Sequence, residues 1–115
     1  MILVIGGIAS GKREYVMNEY GYSDAELADA VLDERPVINN LHDLVAINPD
    51  GISMLVPELL MKEVVICNEV GCGIVPVLHD ERIIRESVGR LCILLAKEAK
   101  SVVRLYCGIP SMIKG

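Results

Sequence analysis

The chain has 115 residues, of which 52% are hydrophobic, and a formal net charge of −5. That length builds one compact domain, taken here as residues 1–115. Its acidic balance and 3% aromatic content exclude a nucleic-acid backbone or stacked bases as main partners, and its charge-broken apolar runs exclude a bilayer span.

Residues 2–5, Ile-Leu-Val-Ile, form a short continuous apolar run ended by glycines, which predicts a strand buried on both faces. The run also looks like the start of a signal peptide. It lacks a basic flank, a long apolar stretch and a small-residue cleavage site, so a cytoplasmic protein is expected. A helix is predicted over 12–20, and a short strand within 27–32. Residues 14–34 carry seven acidic side chains and no basic one, the pattern of a solvated acidic surface.

Further strands are predicted at 37–38, ending in Asn39-Asn40, at 64–67 and at 102–107. Short helices are expected over 41–47 and 52–61, and a long one from His79 to Lys100. In the long helix Ile84, Val88, Leu91, Leu95 and Ala99 form one apolar stripe. Gly89 interrupts it, which implies either a close packing contact or a tolerated glycine. Alternating strands and helices predict an α/β domain with a mostly parallel sheet flanked by helices. Cys67, Cys72, Cys92 and Cys107 form no C-x-x-C pair and sit among aliphatic residues, which predicts buried free thiols in a reducing compartment.

The sharpest local motif is Gly6-Gly7-Ile8-Ala9-Ser10-Gly11-Lys12-Arg13. It fits G-x-x-x-x-G-K between a strand and a helix, which is the context of a phosphate-binding loop in a P-loop NTPase-like domain. Glycines let backbone N–H groups converge on an anion, and Lys12 supplies a point charge for the outer phosphates. The position after the lysine, where a hydroxyl would bind Mg²⁺, holds Arg13. A guanidinium contacts phosphate but does not ligate a metal. ATP or GTP is therefore the expected ligand, bound with little help from Mg²⁺, and no protein metal site is assigned. The alternative is a glycine-rich turn that binds nothing, or only inorganic phosphate or sulfate.

A second motif, Cys67-Asn68-Glu69-Val70-Gly71-Cys72-Gly73-Ile74-Val75-Pro76, follows the strand at 64–67. Polar groups just past the carboxyl end of a parallel strand share the crevice of the loop after the first strand. Glu69 could hold a metal-bound water, orient a nucleophile or cap a helix.

Taken in order, MILVIGGIASGK, ICNEVGCGIVP, the helical ESVGRL and CGIPSMIK resemble the adenosylcobinamide kinase / adenosylcobinamide-phosphate guanylyltransferase family of cobalamin biosynthesis. The resemblance covers residues 1–15 and 63–114 and leaves the stretch between unmatched. It implies phosphorylation of a cobinamide hydroxyl by a nucleoside triphosphate, then GMP transfer through a guanylylated histidine. On this resemblance Gly6 to Lys12 match the family's phosphate loop, Asn68, Glu69 and Gly71 its NEVG segment, and Arg90 the arginine of the long helix; Lys12 and Glu69 would then be catalytic, with Asn68, Gly71 and Arg90 in supporting roles toward a cobinamide-type small molecule. It also makes a homo-oligomer plausible; that neither nucleic acid nor membrane is a partner follows from the composition above. The chain departs from the family between Tyr15 and Glu63, where the guanylylated histidine and an acidic strand end belong. Asn39 and Asn40 stand at the strand end, and His42 is the nearby histidine, either a nucleotide acceptor or a surface or capping group. The expectation is a kinase-like protein that has lost guanylyltransferase activity, or a nucleotide-binding module without catalysis.

Overall fold

The computed structural model describes residues 1–69 and 79–115. Cys72, Gly71 and the rest of the motif after Glu69 lie outside the described residues. The elements run β1 (Ile2–Gly6), α1 (Lys12–Tyr20), a 3₁₀ turn (Asp24–Glu26), β2 (Leu27–Asp29), β3 (Val37–Asn39), α2 (Leu41–Ile47), a second 3₁₀ turn (Pro49–Gly51), α3 (Ile52–Leu60), β4 (Val64–Asn68), α4 (His79–Glu98), β5 (Ser101–Tyr106) and β6 (Ile109–Lys114). The six strands form one sheet in the order β2-β3-β4-β1-β5-β6, parallel throughout except for β6, which runs antiparallel to β5.

The apolar runs are continuous because both faces of the sheet are covered, and the side chains alternate between two cores. Val4, Val37, Val64, Ile66, Val103 and Leu105 pack with Val16 of α1 on one face. Leu3, Ile38, Val65, Cys67 and Val102 pack on the other with Leu41 and Val45 of α2, Leu59 of α3, and Val88, Leu91 and Leu95 of α4. β1 lies between β4 and β5. The chain leaves it through α1 toward the β2 edge, whereas α4 returns across it from β4 to β5. That divergence opens a crevice at the carboxyl ends of the central strands.

The predicted helical stripe faces the core as expected. A Cβ built on Gly89 meets no described atom within 4 Å, so this glycine is tolerated and not required. Gly89→Ala should therefore raise stability by about 0.5–1 kcal/mol, the helix-propensity difference between the two residues. A urea denaturation midpoint moving upward at constant m-value would show it.

One expectation is corrected. Cys107 is exposed, while Cys67 is buried and Cys92 partly so. Cys107 and Gly108 form the two-residue turn between β5 and β6, with φ of 51° and 76°, so the thiol sits at a hairpin tip and not in an aliphatic core. The acidic stretch is largely the solvated surface expected, with Glu14, Glu19, Asp24, Asp29 and Glu34 exposed, and it also makes local pairings. Asp24 pairs with Arg13, Asp33 with Arg35, Glu26 closes a capping box on Ser23, and Asp29 accepts hydrogen bonds from Asn39 and Asn40. No helix among the described residues is long and apolar enough to cross a membrane.

Candidate phosphate-binding site

β1 ends in Gly6, and the loop from Gly7 to Gly11 leads directly into α1. Gly11 caps the helix with φ 86°, a left-handed conformation that glycine adopts without a Cβ penalty. The first helical bond runs from the N–H of Tyr15 to the carbonyl of Gly11 at 2.9 Å. The N–H groups of Lys12, Arg13 and Glu14 therefore belong to the first turn, which has no intrahelical acceptor and is suited to an anion.

Lys12 is only 8% exposed. Its ammonium donates to the carbonyl of Gly7 at 2.6 Å and to Ser10 Oγ at 3.4 Å. The side chain thus folds over the loop, as the motif predicts, and burial lowers its pKa while Cys67 and Glu14 oppose the shift. A cleft of about 300 Å³ opens above, lined by residues 8–14 together with Asn39, Asn40 and Asn68. The structure thereby brings together most of the predicted loop residues, Asn68, and the two asparagines at the end of β3. Gly6 and Gly7 form the loop's stem.

The loop is braced from both neighbouring strands. The N–H of Glu69 donates to the carbonyl of Gly6 at 2.7 Å, and that of Gly108 donates to the carbonyl of Ser10 at 2.9 Å. A second hollow of about 290 Å³ lies beside the loop, between Tyr15, Asn18 and Glu19 of α1 and Gly108 of the hairpin.

Arg13 contributes to the cleft wall, but its guanidinium pairs with Asp24 beyond the end of α1. A phosphate in the cleft would therefore compete with Asp24 for this guanidinium. Both partners are substantially exposed, at 40% and 75%, so a pair of this kind contributes at most about 1 kcal/mol.

Glu69 lies at the end of β4, where its carboxylate accepts a 2.9 Å hydrogen bond from Arg104 Nε. Sequence reasoning missed Arg104. Its signal was a lone charge inside the apolar run Val102-Val103-Arg104-Leu105. Arg90 lies midway along α4 and does not line the cleft; its guanidinium donates to Ser87 Oγ of the same helix at 3.3 Å. Gly71 is outside the described residues.

His42, in the first turn of α2, accepts a hydrogen bond at Nδ1 from the N–H of Asn68 at 3.2 Å. An amide N–H can only donate, so Nδ1 is unprotonated and the neutral ring carries its proton on Nε2. Burial lowers the His42 pKa from its ordinary 6.5, with Lys12 adding to the shift and Asp43 and Asp29 opposing it. The unfolded chain therefore takes up this proton first as pH falls, and the native state loses stability below about pH 6.5. His42→Asn keeps an acceptor for Asn68 without a titrating group. It should flatten the decline of denaturation midpoint between about pH 7 and 5 relative to the parent.

The donor set decides whether a divalent cation fits. Among the described residues no three His, Cys, Asp or Glu side chains converge, and the Ser10 hydroxyl is engaged with Lys12. The remaining side-chain oxygens of the cleft lining are the Glu14 carboxylate on α1 and the amide carbonyls of Asn39, Asn40 and Asn68. Such hard oxygen donors suit Mg²⁺, which keeps several waters and takes most of its other ligands from substrate phosphates.

No curated protein matches the chain. A family profile described as cobinamide kinase / cobinamide phosphate guanyltransferase matches residues 36–113. The match takes in β3, α2 and α3, which the motif comparison left unplaced, and it begins after the phosphate loop, so that loop rests on its own geometry. Since the matched span covers well over half of the chain and includes β4, α4 and most of the β5–β6 hairpin, the protein belongs to the cobinamide kinase / cobinamide phosphate guanyltransferase family of cobalamin biosynthesis.

Proposed function

We propose that the chain binds ATP or GTP at residues 6–13 and transfers the γ-phosphoryl group to a hydroxyl of a cobinamide-type acceptor. The observation that carries this reading is Lys12, buried at a helix N-terminus and held over the loop beneath a polar cleft. In the step, the acceptor oxygen bonds to the γ-phosphorus as the bond to the β–γ bridging oxygen breaks. The nucleoside diphosphate leaves and the hydroxyl proton passes to water. Such a transfer depends on positioning and on stabilising charge at the phosphoryl oxygens, which Lys12 and the first-turn amides of α1 supply. Mg²⁺, when bound with the nucleotide, would neutralise phosphate charge; Asn39 and Asn40 are the cleft residues suited to its hydration shell. Glu69, held by Arg104, would position the acceptor from the end of β4.

The guanylyltransferase half of the family's chemistry is absent in this reading. The support is His42: with Nδ1 accepting from Asn68 and the proton on Nε2, neither nitrogen offers a free lone pair to phosphorus. Incubation with cobinamide and γ-labelled ATP or GTP should label the corrinoid, and α-labelled GTP should leave no acid-labile nucleotide on the protein. Protein-bound nucleotide lost in His42→Ala would overturn the second statement.

One observation favours a catalytically silent nucleotide-binding module instead. The hydroxyl expected after Lys12 is replaced by Arg13, whose charge is directed to Asp24. Tight nucleotide binding without corrinoid labelling would establish that reading.

A further inference from the structure

β2 and β3 pair in parallel with Asp29 opposite Asn39. The Asp29 Oδ1 atom accepts from Asn40 Nδ2 at 2.5 Å and from Asn39 Nδ2 at 3.4 Å. A carboxylate only accepts, so both amides must turn their NH₂ groups toward it. Each amide oxygen is thereby directed away from Asp29, and both asparagines line the cleft above the phosphate loop.

We propose that the amide oxygens of Asn39 and Asn40, oriented by Asp29, replace the missing strand-end carboxylate and hold the hydration shell of a nucleotide-bound Mg²⁺. The proposal rests on the phosphate-loop reading above. Strand spacing assigns the roles. β3 is two strands from β1 and β2 is three, or about 10 and 14 Å. Asp29 is too far to touch a phosphate at Lys12, so it is a positioning residue. The asparagines reach the metal through its waters. The backbone agrees: Ala30 and Asn40, the residues just after β2 and β3, are both left-handed, with φ of 57° and 55°. For alanine that conformation is strained, and the Ala30 N–H donates to the Asn39 carbonyl at 2.8 Å, tying the two strand ends together. Two neutral oxygens backed by one remote carboxylate hold a metal shell more weakly than a direct carboxylate does. The metal effect is accordingly modest.

The test is calorimetric titration of the full chain with ATP and with GTP, in excess Mg²⁺ and in EDTA. The parent should bind about tenfold tighter with Mg²⁺, the equivalent of 1.4 kcal/mol. Asp29→Ala, at an exposed position, and the double variant Asn39→Ala/Asn40→Ala should each reduce that ratio to below about threefold. The affinity of Asp29→Ala in EDTA should equal the parent's. Asn39→Asp should raise the ratio above the parent's. A parent that binds nucleotide with no metal effect, or variants that keep the parent's ratio, would overturn the inference alone. Equal loss of affinity in both buffers would reveal a merely structural Asp29 and overturn it too. A parent with no nucleotide affinity in either buffer would overturn the phosphate-loop reading and this inference with it.

Discussion

Lys12→Met should lower ATP and GTP affinity about 10- to 100-fold while leaving the fold in place. Hydrogen bonds from a charged group contribute about 1.5–3 kcal/mol each, and every 1.4 kcal/mol is tenfold. In the free protein the ammonium is already desolvated and tied to Gly7 and Ser10. A bound phosphate would replace a neutral carbonyl as its partner, a stronger pairing. The effect on stability is smaller because two changes oppose each other. Methionine removes a buried charge, which relieves desolvation, and it leaves the Gly7 carbonyl without its ammonium donor. The melting temperature should therefore move little while the calorimetric dissociation constant rises. Unchanged affinity would remove Lys12 from the site.

Gly6→Ala should be the most destabilising of the loop substitutions. A Cβ there would lie 2.5 Å from Ser10 Oγ and 2.7 Å from the Leu105 carbonyl oxygen. The serine can rotate, but the second contact is backbone of the neighbouring central strand and cannot withdraw without opening the β1–β5 ladder. Overpacking of this kind costs about 1–3 kcal/mol. The adjacent Gly7 provides the control, since a Cβ there meets no described atom within 4 Å, and Gly7→Ala should stay within about 0.5 kcal/mol of the parent. Denaturation midpoints of the two variants compare the positions directly, and equal midpoints would contradict the clash.

Much of this architecture was legible in the residues. β-branched runs bounded by glycine or asparagine marked β1 and β4, and three- and four-residue steps marked α4, because burial on two faces or on one stripe leaves those patterns. Residues 6–13 marked a strand, a glycine turn and a helix start, and that backbone is present; the phosphate-binding role read from them is the candidate carried into the proposed function. β6 was not legible as a strand. Cys107-Gly108 lacks the Asn-Gly signature of a two-residue turn, so the reversal looked like the end of β5. Asp29 was equally hidden: its role depends on the register of two parallel strands, which no local pattern encodes. Arg104 was visible as a charge in an apolar run, but its partner Glu69 is remote in sequence and adjacent only through the ladder from β4 across β1 to β5.

The hairpin that ends the described chain has a mechanical consequence. All six residues of β6 are exposed, so little buried surface resists its detachment from β5, and local opening should begin there. The Gly108 amide at its tip is also the one that donates to Ser10 of the phosphate loop. Peeling of the sheet edge therefore releases a brace of the candidate site before the central strands part. Occupancy of the loop and closure of the edge are linked in free energy: whatever anion favours the braced loop also slows hydrogen exchange at Gly108 and along β6.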